Sequence, residues 1–360
     1  MKVLQLCSYY KDSFYSLLFQ ELEKIDIQND IFFPYNSKKN YRYEMKNIYS
    51  APIYTNSDRI FYRKKQFKYN KFINDSIVDI SSYDLIHAHT LFSDGFMALK
   101  LKEKFKIPYI VAVRSTDINT FFRYRKDLRN IGKKILSEAN KIIVLSDNSK
   151  RYIEGEFKDL DFSTKLVIIP NGVNNMFIEN KYDGGKNIRD TIKILTVGEV
   201  SKRKNQKAVV KACDILINKG YIIDYSIVGK IKSPKIGMYL KSKKYISMYG
   251  YLTQKELIDI YRENHIFVLP SITETFGISY LESISQNTPV IYTRGQGFDK
   301  LFMEKEVGCS VDANRPDEIA KKIEIIIENI QKFSNLSNRV TKYSWNEIAI
   351  KYKTIYESIS

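Results

Sequence analysis

Apolar positions along the chain fall in short runs (VLQLC, DLIHAH, YIVAV, KIIVLS, LVIIP, KILTV, HIFVLP and PVIYT), separated by stretches whose apolar residues recur at helical spacing. Short apolar runs bounded by turn residues read as buried strands, and the stretches between them as amphipathic helices. In the first half the pattern predicts strands over Val3–Cys7, Asp84–His89, Tyr109–Val113, Lys141–Leu145 and Leu166–Ile169, with helices over Ser13–Ile25, Asp94–Phe105 and Leu128–Ala139. A Pro-Asn-Gly turn follows at 170–172, and the polar, glycine-bearing segment Glu179–Asp190 is the best linker candidate. The alternation then restarts with strands over Ile192–Val197, Ile222–Val228, Ile246–Tyr249, Ile266–Pro270 and Pro289–Tyr292. Helices are predicted over Asn205–Lys219, Gln254–Glu263, Gly277–Gln286, Pro316–Gln331 and Trp345–Ile359. The pattern is that of an α/β chain with two Rossmann-like halves of similar size facing across a cleft. In open parallel sheets ligands bind beyond the carboxyl ends of the strands, so the residues just after each strand are the candidates for chemistry.

Composition narrows the picture. At 360 residues the chain is long enough for two domains, and 44% hydrophobic with 28% charged residues excludes a disordered or collagenous protein. No apolar run approaches the roughly 18 residues that cross a bilayer, and MKVLQLCSYYKD is too short an apolar start for a secretion signal. Cys7, Cys213 and Cys309 are odd in number and lack metal-ligand spacing, so buried thiols in a cytoplasmic protein are expected.

Charge adds a partner question. Lysine and arginine number 58 against 41 acids, a formal charge of +17. Five basic residues sit in Tyr62–Lys71, six in Phe121–Lys134 and six in Lys230–Lys244. Two readings stand side by side: solvated faces of a lysine-rich chain, or a surface for an anionic partner. Aromatic residues interleaved in the first two clusters suit an anionic membrane surface, with peripheral attachment at the inner face of the plasma membrane. Nucleic acid is the weaker partner, since zinc-finger, helix-turn-helix and RNA-recognition signatures are missing.

The most informative stretch is PSITETFGISYLE, residues 270–282. Glu274 lies in the loop after a strand, and Gly277 opens a helix whose first amides can seat a phosphate. Glu282 follows about 7.5 Å further along that helix, at 1.5 Å rise per residue, within reach of a ribose attached to that phosphate. Taken alone, the two glutamates read more readily as a solvated loop acid and a surface helix acid than as a site.

They are not alone. FVLPSITETFGISYLESISQNTPVIYT resembles the Glu-x7-Glu region of family 4 glycosyltransferases, the retaining enzymes of GT-B fold. The resemblance extends in order and spacing over nearly the whole chain, through DLIHAHTLFSDG, IPYIVAVRSTDIN, KIIVLSDNSK, VIIPNGVNNMFI, ILTVGEVSKRKNQ and the terminal YSWNEIAIKYKTIYES. It implies an acceptor-binding domain over 1–172, a nucleotide-sugar-binding domain over 173–342 and a terminal helix, 343–360, that crosses back to the first domain. Domain closure would bring the two substrates together. By the same resemblance Glu282 binds the donor ribose and Glu274 the hydroxyls of the transferred sugar. Phe276, Gly277 and Ile278 supply amides, Lys204 neutralises the diphosphate, and Asn171 completes the donor side.

The chain departs from the family pattern in three places. Glu199 stands where an arginine is usual, so Arg203 or Lys202 has to compensate. Arg114 and Ser115 replace a histidine and glycine. Arg114 is therefore open to two readings, a catalytic cation for the leaving diphosphate or an anionic acceptor group, or a structural partner of Asp117. The loop Ser8–Phe14 lacks paired glycines, which leaves Tyr10 and Lys11 as acceptor contacts together with His89 and Asp117. His87 and His265 read as packed groups, and Asp159-x-Asp161 as a surface turn rather than a metal motif.

The expected activity is metal-independent transfer, with retention, from a nucleotide sugar, a UDP-sugar being favoured. The hexosyl or N-acetylhexosaminyl group would pass to a saccharide or lipid-linked saccharide in bacterial-type surface polysaccharide biosynthesis. No cofactor is expected. A nucleotide-sugar epimerase, a silent sugar- or nucleotide-binding protein and, from charge alone, a nucleic-acid binder remain as alternatives.

Overall fold

A computed structural model describes residues 1–10, 14–38, 47–76 and 79–359. The chain divides into two compact units, Met1–Pro170 with Trp345–Ser360, and Asn171–Ser344.

The first unit is a parallel sheet of seven strands: β1 (Lys2–Leu6), β2 (Gln28–Asn36), β3 (Ile48–Tyr54), β4 (Leu85–Ala88), β5 (Tyr109–Ala112), β6 (Lys141–Val144) and β7 (Leu166–Ile168). Their spatial order is β3-β2-β1-β4-β5-β6-β7. Between them run α1 (Tyr15–Lys24), α2 (Tyr62–Ser76), α3 (Gly95–Phe105), α4 (Arg129–Glu138) and α5 (Asp147–Glu156). One sheet face packs a core containing Phe32, Tyr69, Phe92, Tyr109 and Ile135. The other packs Leu18, Phe19, Phe33 and Ile110. Burial on both faces is why strands such as YIVA are continuously apolar rather than alternating.

The second unit repeats the design with six parallel strands. These are β8 (Thr191–Val197), β9 (Ile222–Val228), β10 (Ile246–Tyr249), β11 (Ile266–Leu269), β12 (Val290–Thr293) and β13 (Gly308–Val311), in the order β10-β9-β8-β11-β12-β13. Its helices are α6 (Asn175–Glu179), α7 (Gln206–Asn218), α8 (Pro234–Lys241), α9 (Gln254–Glu263), α10 (Ile278–Ser285) and α11 (Pro316–Glu328). Local chemistry sets their ends: Thr253 and Glu256 form a reciprocal capping box on α9, and Pro316 opens α11 where its missing N–H costs nothing.

The last helix, α12 (Trp345–Glu357), belongs to the first unit. Trp345, Ile348, Ala349, Tyr352 and Tyr356 sink into the core beside α1. The Trp345 ring meets Phe14 edge-on at 4.9 Å, and Lys353 donates to the Ile25 carbonyl at 2.9 Å.

Two expectations need correction. Glu179–Asp190 is not a linker but a strap fastened to the second unit. Tyr182 N donates to Ser285 O at 3.0 Å, and the buried Lys186 ammonium donates to the carbonyls of Tyr261 and Arg262 at 3.1 and 2.6 Å. Composition alone cannot distinguish a polar linker from a polar strap whose groups find partners far away in sequence. The pattern also passes over β2, β3, β13, α2, α5, α6 and α8. Pro34 interrupts β2 at a register shift against β3, and α2 hides four buried positions, Tyr62, Gln66, Tyr69 and Ile73, among its lysines.

Glycine is required where the β8 and β9 exits touch. At Gly229, φ is +143°, and a Cβ there would sit 2.2 Å from the carbonyl oxygen of Gly198. Gly229→Ala is expected to destabilise the fold by at least about 2 kcal/mol, through overlap and an unfavourable φ together. Gly155→Ala, on the exposed side of α5 with nothing within 4 Å, should be neutral or stabilising by up to about 1 kcal/mol. Urea unfolding of both variants checks this, and equal midpoints would contradict it.

Candidate active site

In the six-stranded sheet the order reverses between β8 and β11, whose following chains leave toward opposite faces and open a crevice. The loop after β8 carries Glu199, Arg203 and Lys204; the loop after β11 carries Glu274 and ends at Gly277. The two loops meet through charge. Lys204 Nζ lies 2.7 Å from Glu274 Oε2, both side chains being nearly buried. Glu274 is further held by Thr275 N at 3.2 Å, and its own amide donates to Gln296 Oε1 at 2.9 Å.

Arg203 answers the Glu199 departure. Its guanidinium donates to Glu199 Oε1 and to Thr273 O, each at 3.3 Å, and stands 3.9 Å from Glu274. The carboxylate that stands at 199 is thus neutralised from four residues along the chain. Gln206, buried at the start of α7, donates to Glu199 O at 2.9 Å and accepts from Ser201 N at 3.3 Å. These bonds fix the loop that aims Lys204.

Gly277 caps α10 at φ +84°, where a Cβ would meet the Tyr280 ring at 2.5 Å and Glu274 Cγ at 3.3 Å. The Glu274 side chain therefore lies against the helix's amino end. That end offers amides without intrahelical partners and a partial positive charge. Phe276 is buried below it, and Ile278 begins the helix. Lys204, Arg203, Glu274 and the start of α10 thus converge. Glu282 stands a turn further on, where Tyr261 Oη donates to its Oε2 at 3.1 Å. Burial pushes the Glu282 carboxyl up to about 7, against the pull of that hydrogen bond. Tyr261, Gln206 and Gln296 escaped the sequence reading because they arrive from separate elements and carry no local motif.

The first-unit candidates scatter. His89 is fully buried, its ring 4.9 Å from Tyr15 and 5.3 Å from Phe19, with Nε2 2.8 Å from Gln5 Oε1. It is a core group rather than a residue facing an acceptor, because the end of β4 is covered by α1. His87 pairs through Nδ1 with Tyr356 Oη at 2.7 Å, and burial holds both imidazoles well below their ordinary range.

Asp117 is likewise buried and does not face an acceptor. It accepts from the amides of Arg114, Leu91 and Phe92 at 2.9, 3.1 and 3.2 Å, and so ties the exits of β4 and β5 together. Arg114 donates through Nε to His89 O at 3.3 Å, so it braces the same two exits. Tyr10 packs on Phe19 and Phe33 and lines a cavity beyond β1–β3. Lys11 lies outside the described residues. Asn171 is the first residue of the second unit and is partly buried.

Two parallel α/β units, the second with paired cations and carboxylates at its switch point, define a GT-B glycosyltransferase. A sequence model described as glycosyltransferase family 4 matches residues 17–175, and one described as glycosyl transferases group 1 matches residues 179–344. An uncharacterized glycosyltransferase of Methanocaldococcus jannaschii is 26% identical over 333 residues, 91% of this chain and 89% of its own. Among solved structures, the sucrose-phosphate synthase of Thermosynechococcus elongatus superposes with a TM-score of 0.81 at 18% identity, covering 100% of this chain and 99% of that one. Anabaena HepE in complex with UDP and glucose gives a TM-score of 0.71 at 14% identity, covering 99% and 100%. The chain belongs to the group 1 glycosyltransferases and is a glycosyltransferase.

Glu282 should leave a signature in pH-dependent stability. Its folded value of about 7 exceeds the usual 4.5, so the folded protein holds a proton that the unfolded chain has released. The associated stability is complete below about 4.5 and is lost as pH rises through about 7. Glu282→Gln removes that loss. Its melting temperature relative to the wild type should climb between these values and level off above them, whereas a constant difference would refute the assignment.

Proposed function

We propose that this chain transfers a sugar from a UDP-sugar, with retention and without a metal ion, to a saccharide or lipid-linked saccharide during assembly of surface polysaccharide. The observation that carries this reading is the Lys204–Glu274 ion pair set against the glycine-capped start of α10. A diphosphate placed there takes over Lys204 as its counterion and receives the first amides of the helix. Glu274 is then released toward hydroxyls of the sugar. Glu282, a turn along α10, accepts from the ribose hydroxyls.

As the bond from the anomeric carbon to the phosphate oxygen breaks, charge grows on the diphosphate. Lys204, Arg203 and the helix end stabilise it there, already turned toward the diphosphate by donor binding. The departing oxygen takes the proton of the acceptor hydroxyl, whose oxygen bonds to the same face of the sugar. The UDP and glucose held by HepE support the choice of nucleotide.

A surface on the first unit supports the lipid-linked acceptor. Ile60, Phe61, Phe67 and Tyr124 are each more than half exposed, amid Arg63, Lys64, Lys71 and Arg123. Arg125 Nη1 donates to Ile60 O at 3.3 Å, so the two segments adjoin. Apolar side chains among cations suit an anionic lipid surface. Among the described residues no helix is long and apolar enough to cross a membrane.

Thermal shift with UDP, GDP, ADP and TDP sugars tests the donor. UDP-sugars should stabilise the wild type selectively, and Glu282→Ala should remove the effect. Lys204→Ala should lower kcat/KM about 100-fold or more, by loss of a charge contact strongest in the transition state. Activity should persist in a chelator, and the anomer of the product should match that of the donor by NMR. Stabilisation by no donor, or an inverted product, would overturn the reading. For the surface, sedimentation with phosphatidylglycerol vesicles should fall sharply in Phe61→Ser/Phe67→Ser, whereas equal binding would remove the membrane proposal.

A further inference from the structure

Tyr261 is fully buried near the end of α9, its ring 5.6 Å from Phe267 and 6.0 Å from Phe177. Its carbonyl is pinned as well, accepting from Thr288 Oγ1 at 2.7 Å and from the Lys186 ammonium at 3.1 Å. A phenol held in this way keeps its hydroxyl in one place. That hydroxyl has a single proton and two acceptors within reach, Ser279 O at 3.2 Å and Glu282 Oε2 at 3.1 Å, both on α10. Burial and the neighbouring carboxylate push the phenol far above its ordinary range, so the proton stays on it.

Which acceptor the proton serves depends on Glu282. Burial raises that carboxyl to about 7, and the Tyr261 hydroxyl is the group that pulls it back. A protonated Glu282 can donate to Tyr261 Oη, which then donates to Ser279 O. An ionised Glu282 needs the Tyr261 proton at Oε2, because a carboxylate removed from water is costly without donors.

No other charged group on the elements packed against α10 takes that place. Arg262 is bound to Gln286 Oε1 and Asn180 O, Arg339 to Glu306, and Lys204 to Glu274. Tyr292 donates to Glu304, and Tyr343, at the end of the segment Leu336–Tyr343, lies beside Glu306. Glu179, Lys255, Glu256, Asp259, Glu263 and Lys342 are exposed.

The 2′,3′-diol of a ribose brings two donors to one carboxylate, and the ionised form accepts both. Glu282 is only partly buried, and among the described residues the hydrogen bond to its carboxyl is the one from Tyr261. On the reading that Glu282 accepts from the donor ribose, we infer that Tyr261 is the positioning residue of that site: its hydroxyl turns from Ser279 O to Glu282 Oε2 as the diol binds and Glu282 gives its proton to solvent. Tyr261 thereby holds the carboxylate in one orientation, stabilises the charge that the diol requires, and makes the site select ribose over deoxyribose. It acts through Glu282 and not on the sugar. Because binding takes the ionised form, donor affinity falls as pH drops through about 7.

The test uses the full chain and titration calorimetry with UDP and 2′,3′-dideoxy-UDP between about pH 6 and pH 9, a window that brackets the Glu282 value. Taking the ratio of the two affinities cancels the titration of the phosphates. The wild type should prefer UDP, the preference should fade toward the acid end, and Glu282→Ala should abolish it. Tyr261→Phe keeps the ring that fills the core. It should cut the preference about tenfold near pH 7, the worth of one hydrogen bond to a charged acceptor, and move the fade to higher pH. A second measurement needs no variant. In buffers of different ionisation enthalpy, UDP should release about one proton more than the dideoxy compound at the acid end. If Tyr261→Phe weakens both compounds alike, the residue is merely structural and the inference fails. It fails equally if that variant keeps the wild-type preference and pH profile, or if both compounds release protons equally; each of these results leaves the donor reading standing. No preference in the wild type, or no binding of UDP, would remove the donor reading and the inference together.

Discussion

Parallel pairing is the constraint on which the rest of this molecule depends. When every strand of a sheet runs the same way, each connection must cross back over a face, and every carboxyl end arrives at one edge. Both sheets obey this, with order β3-β2-β1-β4-β5-β6-β7 in one and β10-β9-β8-β11-β12-β13 in the other. Where the order reverses, neighbouring exits diverge, and a side chain from either can enter the gap. Lys204 and Glu274 come from such a pair of exits, seventy residues apart, and meet at 2.7 Å. In the first unit the corresponding place lies between β1 and β4, where Asp94 accepts from Ser8 N at 3.0 Å; Asp117 ties the next pair of exits, those of β4 and β5, by binding the amides of Leu91, Phe92 and Arg114.

The charges in the second unit are arranged so that the empty site is self-consistent. A nearly buried ammonium and a nearly buried carboxylate neutralise each other, and neither would be stable alone at that depth. On the proposed function the pair is also exchangeable: a diphosphate would take over Lys204, and Glu274 would turn to hydroxyls. Arg203 shows how a departure from the family pattern is absorbed. A glutamate at 199 would weaken an anion site, but the arginine four residues on binds it and still reaches Thr273 and Glu274. The site's charge is a property of the folded loop rather than of any one position.

The first unit solves a different problem with the same scaffold. Its strand exits are crowded with aromatic rings, and its buried polar groups serve the scaffold. His87, His89, Asp94 and Asp117 are committed to holding loops and the terminal helix in place, as the Ser8–Asp94 and His87–Tyr356 bonds show. Asp58 does the same for α2, accepting from Thr55 and Lys68.

Much of this was legible in the chain. Apolar runs located ten of the thirteen described strands and the α/β class. The Glu274–Glu282 spacing with its intervening glycine marked the start of α10, because a helix start, a rise per residue and two acids are local facts. Strands β2 and β3 were hidden by Pro34 and Pro52, and α2 by its lysines, since propensity and charge are read before burial is known. The roles of His89, Asp117, Asp58, Tyr261 and Gln296 could not be read at all. Whether a polar residue ends in a core, ties down a loop or faces a cavity depends on which distant segment covers it. The sequence by itself determined the periodicity, the strand exits and the acids of α10. Only the tertiary structure decided which side chains share a partner, because hydrogen bonds and desolvation act through space across residues that the chain order keeps apart.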